Sequence, residues 1–155
     1  MIKELAFVLS VLCAGCSSHE AVDQSSAVAV ADSFYGALSA DDEKTALSFF
    51  SPDFKQSVEA WPRLLGSMNR QGGTVVSTKL LSASLVAQAE SPCFLLAYAV
   101  DRQGPNTGTD EKIFMCRSPG DTSSWLIAGH SITRQDNGKS ISAGVVPSEL
   151  SVHAP

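Results

Sequence analysis

Three kinds of side chain in this 155-residue chain have the type and spacing to do chemistry: a strand histidine, a set of acids, and cysteines at 13, 16, 93 and 116. His130 lies in the apolar run Trp125-Leu126-Ile127-Ala128-Gly129-His130-Ser131-Ile132, whereas His19 and His153 fall in terminal stretches. Strand alternation puts His130 on the face of Leu126, Ala128 and Ile132, lining a concave side. Asp101, Asp110 and Glu111 flank a predicted hairpin turn, and one of them with His130 would form an acid–base pair. A structural or half-exposed histidine is the alternative. The sequence holds no phosphate loop, no His-x-x-x-His and no Gly-x-Ser-x-Gly. No catalytic residue beyond the candidate His130 is assigned, and no cofactor. No metal site is assigned either, because the run Asp41-Asp42-Glu43 reads as a helix start whose consecutive carboxylates point in different directions.

The cysteines divide into two pairs. Cys93 and Cys116 lie in predicted strands on either side of Arg102-Gln103-Gly104-Pro105-Asn106-Thr107-Gly108, a stretch dense in turn residues. A symmetric hairpin centred there sets Cys93 opposite Cys116, Leu95 opposite Phe114 and Tyr98 opposite Glu111. Directly opposed Cβ atoms lie ~4.5–5.5 Å apart, within a small adjustment of a disulfide. Two buried thiols, or a loop asymmetry that shifts the register, are the alternatives. No Cys-x-x-Cys occurs in the body of the chain, which argues against a redox enzyme.

The other two cysteines close the N-terminal segment. Leu5 to Leu12 is apolar apart from Ser10, the length of a signal-peptide core; a membrane span needs roughly 20 residues. Ala14-Gly15-Cys16 follows. Leu12-Cys13-Ala14-Gly15-Cys16 resembles the lipobox of bacterial lipoproteins, with Cys13 where that motif usually carries Leu, Val or Ile. The resemblance implies a signal peptide over 1–15, cleavage before Cys16, and diacylation of its thiol. Ser17 is similar to the outer-membrane sorting pattern, which implies a lipid-anchored protein of the bacterial envelope facing the periplasm. An ordinary secretory signal with an incidental Cys16 is the other reading. Residues 16–26 are small and polar and read as a tether. An oxidising compartment of this kind permits the Cys93–Cys116 bond.

These residues need elements to position them. Ala27 to Leu38 has a helical period, with Ala27, Val30 or Ala31, Phe34 and Leu38 on one face. A second helix is predicted over Glu43 to Phe50, ended by Ser51-Pro52-Asp53. Trp61-Pro62 looks like a third helix entry, broken at Gln71-Gly72-Gly73. From Thr74 the pattern is extended: Thr74 to Leu81 with Leu85-Val86, then Cys93 to Val100, Lys112 to Arg117 and Trp125 to Ile132. Residues 135–155 read as a mostly irregular tail. The order predicts an α+β domain over 27–134, its N-terminal helices packed on a curved antiparallel sheet of about four strands. The charge is −5, and losing residues 1–15 removes one Lys and one Glu and leaves it unchanged. An acidic chain without basic clusters argues against nucleic acid as a partner.

Ala31-x-x-Phe34-Tyr35-x-x-Leu38, then Phe49-Phe50-Ser51-Pro52-Asp53-Phe54, resembles the opening of nuclear-transport-factor-like proteins of the cystatin-like fold. Trp61 to Gly73, Glu111 to Cys116 and Ser124 to Ile132 are similar to small bacterial lipoproteins on that fold, with His130 where those carry an aromatic residue. The resemblance covers about residues 27 to 134 and implies a cone-shaped pocket, for which Trp61, Tyr98, Trp125 and His130 are the lining candidates. Fold analogy does not select a function. Three remain open: a non-enzymatic envelope domain binding a protein partner or small ligand, a periplasmic immunity or inhibitor protein against a toxin, and a small acid–base enzyme built on His130.

Overall fold

The computed structural model describes residues 23–57, 73–86, 91–104, 108–118, 121–136 and 139–145. Helix α1 (Gln24–Ser39) is capped by Asp23, whose carboxylate accepts the backbone N–H groups of Ser25 and Ser26. It therefore begins three residues before Ala27, inside the stretch read as tether. Its buried residues are Ala27, Ala31, Phe34, Tyr35, Ala37 and Leu38, the expected period with Tyr35 and Ala37 added. Alanines at 27 and 31 let the helix axis approach the sheet, and Phe34 fills the space beyond them.

Asp41 takes a left-handed φ of 56° and turns the chain. Asp42 then caps α2 (Glu43–Ser48), accepting from Thr45 N at 3.0 Å and Thr45 Oγ1 at 2.6 Å. The acidic run is thus a turn and a cap. Ser51-Pro52-Asp53 does separate two elements, but it also starts one: Ser51 Oγ accepts from Phe54 N at 3.1 Å, opening the short helix α3 (Pro52–Ser57). The helix expected at Trp61-Pro62 lies outside the described residues.

The sheet is a curved, unclosed antiparallel meander of five strands in sequence order: β1 (Val75–Val86), β2 (Cys93–Arg102), β3 (Gly108–Ser118), β4 (Asp121–Asp136) and β5 (Lys139–Val145). The expected count of about four is corrected to five, because β4 runs on past Arg134 and β5 follows where an irregular tail was expected. Asp136 pairs with Lys139 across Asn137-Gly138, and β5 then satisfies the outer edge of β4 from Gln135 back to His130.

Cys93 pairs with Cys116, Leu95 with Phe114 and Tyr98 with Glu111, the register expected from the symmetric hairpin. Phe94, Leu96, Tyr98, Val100 and Arg102 of β2 turn toward the helices, as do Thr109, Glu111, Ile113 and Met115 of β3. On β4 the alternation is interrupted. Met115 pairs with Ile127 but Phe114 with Gly129, so Ala128 is a bulge. Trp125 and Ile127 before it, and His130 and Ile132 after it, are the buried positions. His130 shares its face with Ile132 as expected, but not with Leu126 and Ala128, which are half-buried.

The core lies between α1 and this inner face. Phe34 is at its centre, with ring centroids 5.2 Å from Tyr35, 5.5 Å from Phe50 and 5.6 Å from His130. Phe50 also forms an isolated parallel bridge to Ile127. Ser51 N donates to Ile127 O at 2.9 Å and Ile127 N donates to Phe49 O at 2.8 Å, so residues 49–51 cover the edge of β4 that β5 does not reach. Gly73, at φ +85°, precedes β1 where an added Cβ would overlap the carbonyl of Gln103.

The disulfide Cys93–Cys116 is formed, joining directly opposed residues with Cα atoms 4.2 Å apart and a sequence separation of 23. Loop closure of that size is worth about 3 kcal/mol in the chain-entropy account. Replacing both cysteines with alanine is expected to lower unfolding free energy by about that amount, read by denaturant titration, while peptide mapping without reductant recovers the two peptides joined.

Candidate functional site

Glu111 is the one acid of the hairpin that reaches His130. It sits on the inner face because Tyr98 is its partner on β2 and inner residues alternate with outer ones. Asp110 is exposed, and the exposed Asp101 accepts from Ser77 Oγ at 2.8 Å. A carboxylate on the buried side of a sheet needs donors, since an uncompensated buried charge is costly.

The donors come from four elements. Oε1 of Glu111 accepts from Arg102 Nη2 at 2.9 Å, on β2, and from Thr109 Oγ1 at 2.9 Å, two residues back on β3. Oε2 accepts from Tyr35 OH at 3.1 Å, on α1, and from His130 Nε2 at 3.0 Å, on β4. The side chains of Glu111 and His130 are wholly buried, and that of Arg102 is 3% exposed. Arg102 Nη1 also donates to the carbonyl of Gly73 at 3.4 Å. An ionised carboxylate only accepts, so the proton between Glu111 and His130 is on Nε2.

Burial works against ionisation of Glu111. The hydrogen bond and charge of His130 and those of Arg102 outweigh it and hold the carboxyl down to about 2, against an ordinary 4.5. The Tyr35 hydroxyl is pushed far up by its own burial and by the charge of Glu111, so it stays a donor. Tyr98 is raised by burial and by Asp32, to whose Oδ1 its hydroxyl donates at 3.1 Å.

Of the pocket-lining candidates, Tyr98, Trp125 and His130 do share the inner face, but each is packed in the core. Tyr98 lies 5.0 Å from the ring of Tyr35. Trp125 lies 5.4 Å from Phe94, donates to Ser26 Oγ at 2.8 Å, and has the guanidinium of Arg117 at 5.1 Å. Trp61 and Cys16 lie outside the described residues. Sequence reasoning missed Tyr35, Arg102 and Thr109 as partners of Glu111. The available signal was the phase of β3: Glu111 shares its face with Ile113 and Met115, so it is an acid on an apolar stripe.

Among the described residues no group of three or more His, Cys, Asp or Glu comes together to hold a metal ion. No described helix is long and apolar enough to cross a membrane. Comparison with protein-family models, with curated proteins and with solved structures finds no match to this chain.

Four donors fill the roughly four lone-pair directions of a carboxylate. As it stands, Glu111 is a clamp that ties α1, β2, β3 and β4 together. Using it as a base would first require a donor to leave. Glu111→Gln should cost about 3–5 kcal/mol, because Arg102 is left buried without its counter-charge. The pH dependence has a definite sign. The folded carboxyl lies below its ordinary value of 4.5, so its contribution is complete above that pH and is lost as pH falls toward 2. Urea titrations from pH 6 down should show an acid-side loss of stability in the wild type that is much flatter in Glu111→Gln.

Proposed function

We propose that this chain is a lipid-anchored domain of the bacterial cell envelope, a cystatin-like variant of the α+β architecture, whose work is to bind a protein partner or small ligand rather than to carry out a reaction. The observation that carries this reading is the closure of the Glu111 cluster. Its acid–base pair is sealed in the core, and each carboxylate oxygen already accepts two protein donors. General acid–base catalysis needs a titratable group within reach of a substrate proton. Here the ring of His130 faces Phe34 edge-on and lies 6.4 Å from Phe50, surroundings that suit a packed interior residue.

The compartment half of the proposal rests on two features. Cys16 ends a short apolar segment in a lipobox-like pattern, and two or more acyl chains on one cysteine, at ~0.8 kcal/mol per buried methylene, hold a protein stably on a bilayer. The Cys93–Cys116 disulfide accords with an oxidising, extracytoplasmic setting.

A second reading has one specific observation in its favour. His130 and a buried carboxylate stand 3.0 Å apart, the arrangement of a histidine oriented for proton transfer. In that case Nδ1 would be the reacting nitrogen, and a substrate would have to enter between α1 and the sheet.

The anchor is tested by Cys16→Ser, which should move the protein from the membrane to the soluble fraction and abolish the acyl mass. Continued membrane fractionation without acyl mass would refute it. His130→Gln, which keeps a donor toward Glu111, separates the two functional readings. Under the binding reading, the folded variant captures from native envelopes the same partner as the wild type. A folded variant that retains the partner but fails to complement a deletion strain supports acid–base chemistry.

A further inference from the structure

Helix α1 begins at Gln24, and its start is fixed to one end of the sheet, where Trp125 Nε1 donates to Ser26 Oγ at 2.8 Å. That near end is marked by the pairs Val86–Cys93, Cys93–Cys116 and Arg117–Trp125. From there α1 runs toward the opposite end, meeting Glu111 through Tyr35 on the way. The far end carries the pairs Val75–Arg102 and Asp101–Gly108.

Chain length ties the near end to the site of the lipid. Asp23, the cap of α1, follows Cys16 by seven residues. Even fully extended, seven residues reach at most about 25 Å. β2 alone, at ten residues, is about 33 Å long. With Cys16 held in a bilayer, the near end therefore reaches the lipid surface. The far end does not, because that contact would hold Asp23 about a strand length away.

The surface chemistry agrees with this polarity. On β1, Leu85 pairs with Phe94 at the near end and is 56% exposed, and Leu81, four residues up the strand, is 53% exposed. Lys79 comes next and is the one charge of β1. Leucines at the tip with a cation behind them match the layering of acyl boundary and headgroup phosphate. The exposed Asp101 and Asp110 stand at the far end, away from anionic headgroups. Leu85 shares the inner side with Phe94, so a sheet lying flat on its outer face would leave that leucine in water.

We propose, on the reading that Cys16 is lipid-anchored, that the corner where β1 meets the near end rests on the bilayer, with Leu85 and Leu81 at the headgroup–acyl boundary. Two leucines bind a bilayer weakly by themselves. The anchor makes the contact intramolecular and keeps it at high effective concentration. The far end, with Asp101 and Asp110, then faces the compartment and is the end a soluble partner meets.

The test uses the full acylated chain, isotope-labelled, in nanodiscs of phosphatidylethanolamine and phosphatidylglycerol containing a gadolinium-chelate headgroup lipid. Amide relaxation is read by NMR at one copy per disc. With the ends about 33 Å apart, enhancement at residues 84–86 and 93 should exceed that at 101 and 110 by about tenfold or more. Leu85→Glu should remove most of that difference. Its acyl mass, disc association and melting temperature should match the wild type, because Leu85 is exposed. Equal enhancement at both ends of an acylated, disc-bound chain would overturn the docking and leave the anchor standing. Absence of acyl mass would overturn the anchor and the docking with it. A difference unchanged in Leu85→Glu would also overturn the contact. So would one that appears only with two copies per disc, which would assign the corner to a second chain.

Discussion

The requirement that a buried carboxylate be fully satisfied organises this fold. Glu111 is ionised inside the core, and the inner face of β3 alone cannot satisfy it: Thr109 supplies one donor, and the others must come from α1, β2 and β4. Each donor fixes a neighbour. Arg102 and His130 set the inner-face phase of the strands on either side, and Tyr35 sets the rotation of α1 about its axis. Apolar packing around Phe34 is compatible with several rotations of a helix on a sheet; a hydroxyl that must meet one oxygen is compatible with few. Tyr98 to Asp32 and Trp125 to Ser26 repeat the tie elsewhere along α1. The helix is thus held at residues 26, 32 and 35 by polar contacts and between them by apolar ones. Replacing such a cluster with apolar side chains often leaves stability unchanged or higher, so what it adds here is specificity of docking.

The β2–β3 hairpin was legible in the sequence in its partners and register. A turn-rich segment with strands of nearly equal length permits one symmetric pairing, and the opposed cysteines agree with it. The helical face of α1 was legible for the same kind of reason, since its alanines and aromatics repeat at the helical period. The bulge at Ala128 was not. A bulge residue has no required type, so nothing in Leu126-Ile127-Ala128-Gly129-His130 marks where alternation breaks, and one extra residue reverses the face of everything before it. That shift separates Leu126 and Ala128 from His130, while the face shared with Ile132 survives.

β5 was illegible for a different reason. Lys139-Ser140-Ile141-Ser142-Ala143-Gly144-Val145 has too few apolar residues to signal a strand by alternation. Its conformation follows from the long free edge of β4, with Gly144 lying so close to Ser131 that a side chain would collide. The local signal that did exist was Asn137-Gly138, the dipeptide most often found between paired strands. In the candidate site, Glu111 and His130 were visible singly and their pairing was conceivable. Arg102, Thr109 and Tyr35 were not visible as its partners, because each reads as an ordinary strand-end or helix-face residue until the register brings it in.

The disulfide has a consequence for covalent continuity. Cys93 and Cys116 are the outermost pair of the β2–β3 ladder, at the end of the hairpin away from its turn, so every paired residue of the two strands lies within one covalent ring that closes through sulfur. Cleavage of any single peptide bond between them would open the ring without dividing the molecule. A protease acting in the turn would therefore yield a nicked chain of unchanged mass apart from one added water. That chain would still hold the β2 and β3 ladder and the donors of Glu111 in place, and it would come apart into two fragments only after reduction and denaturation.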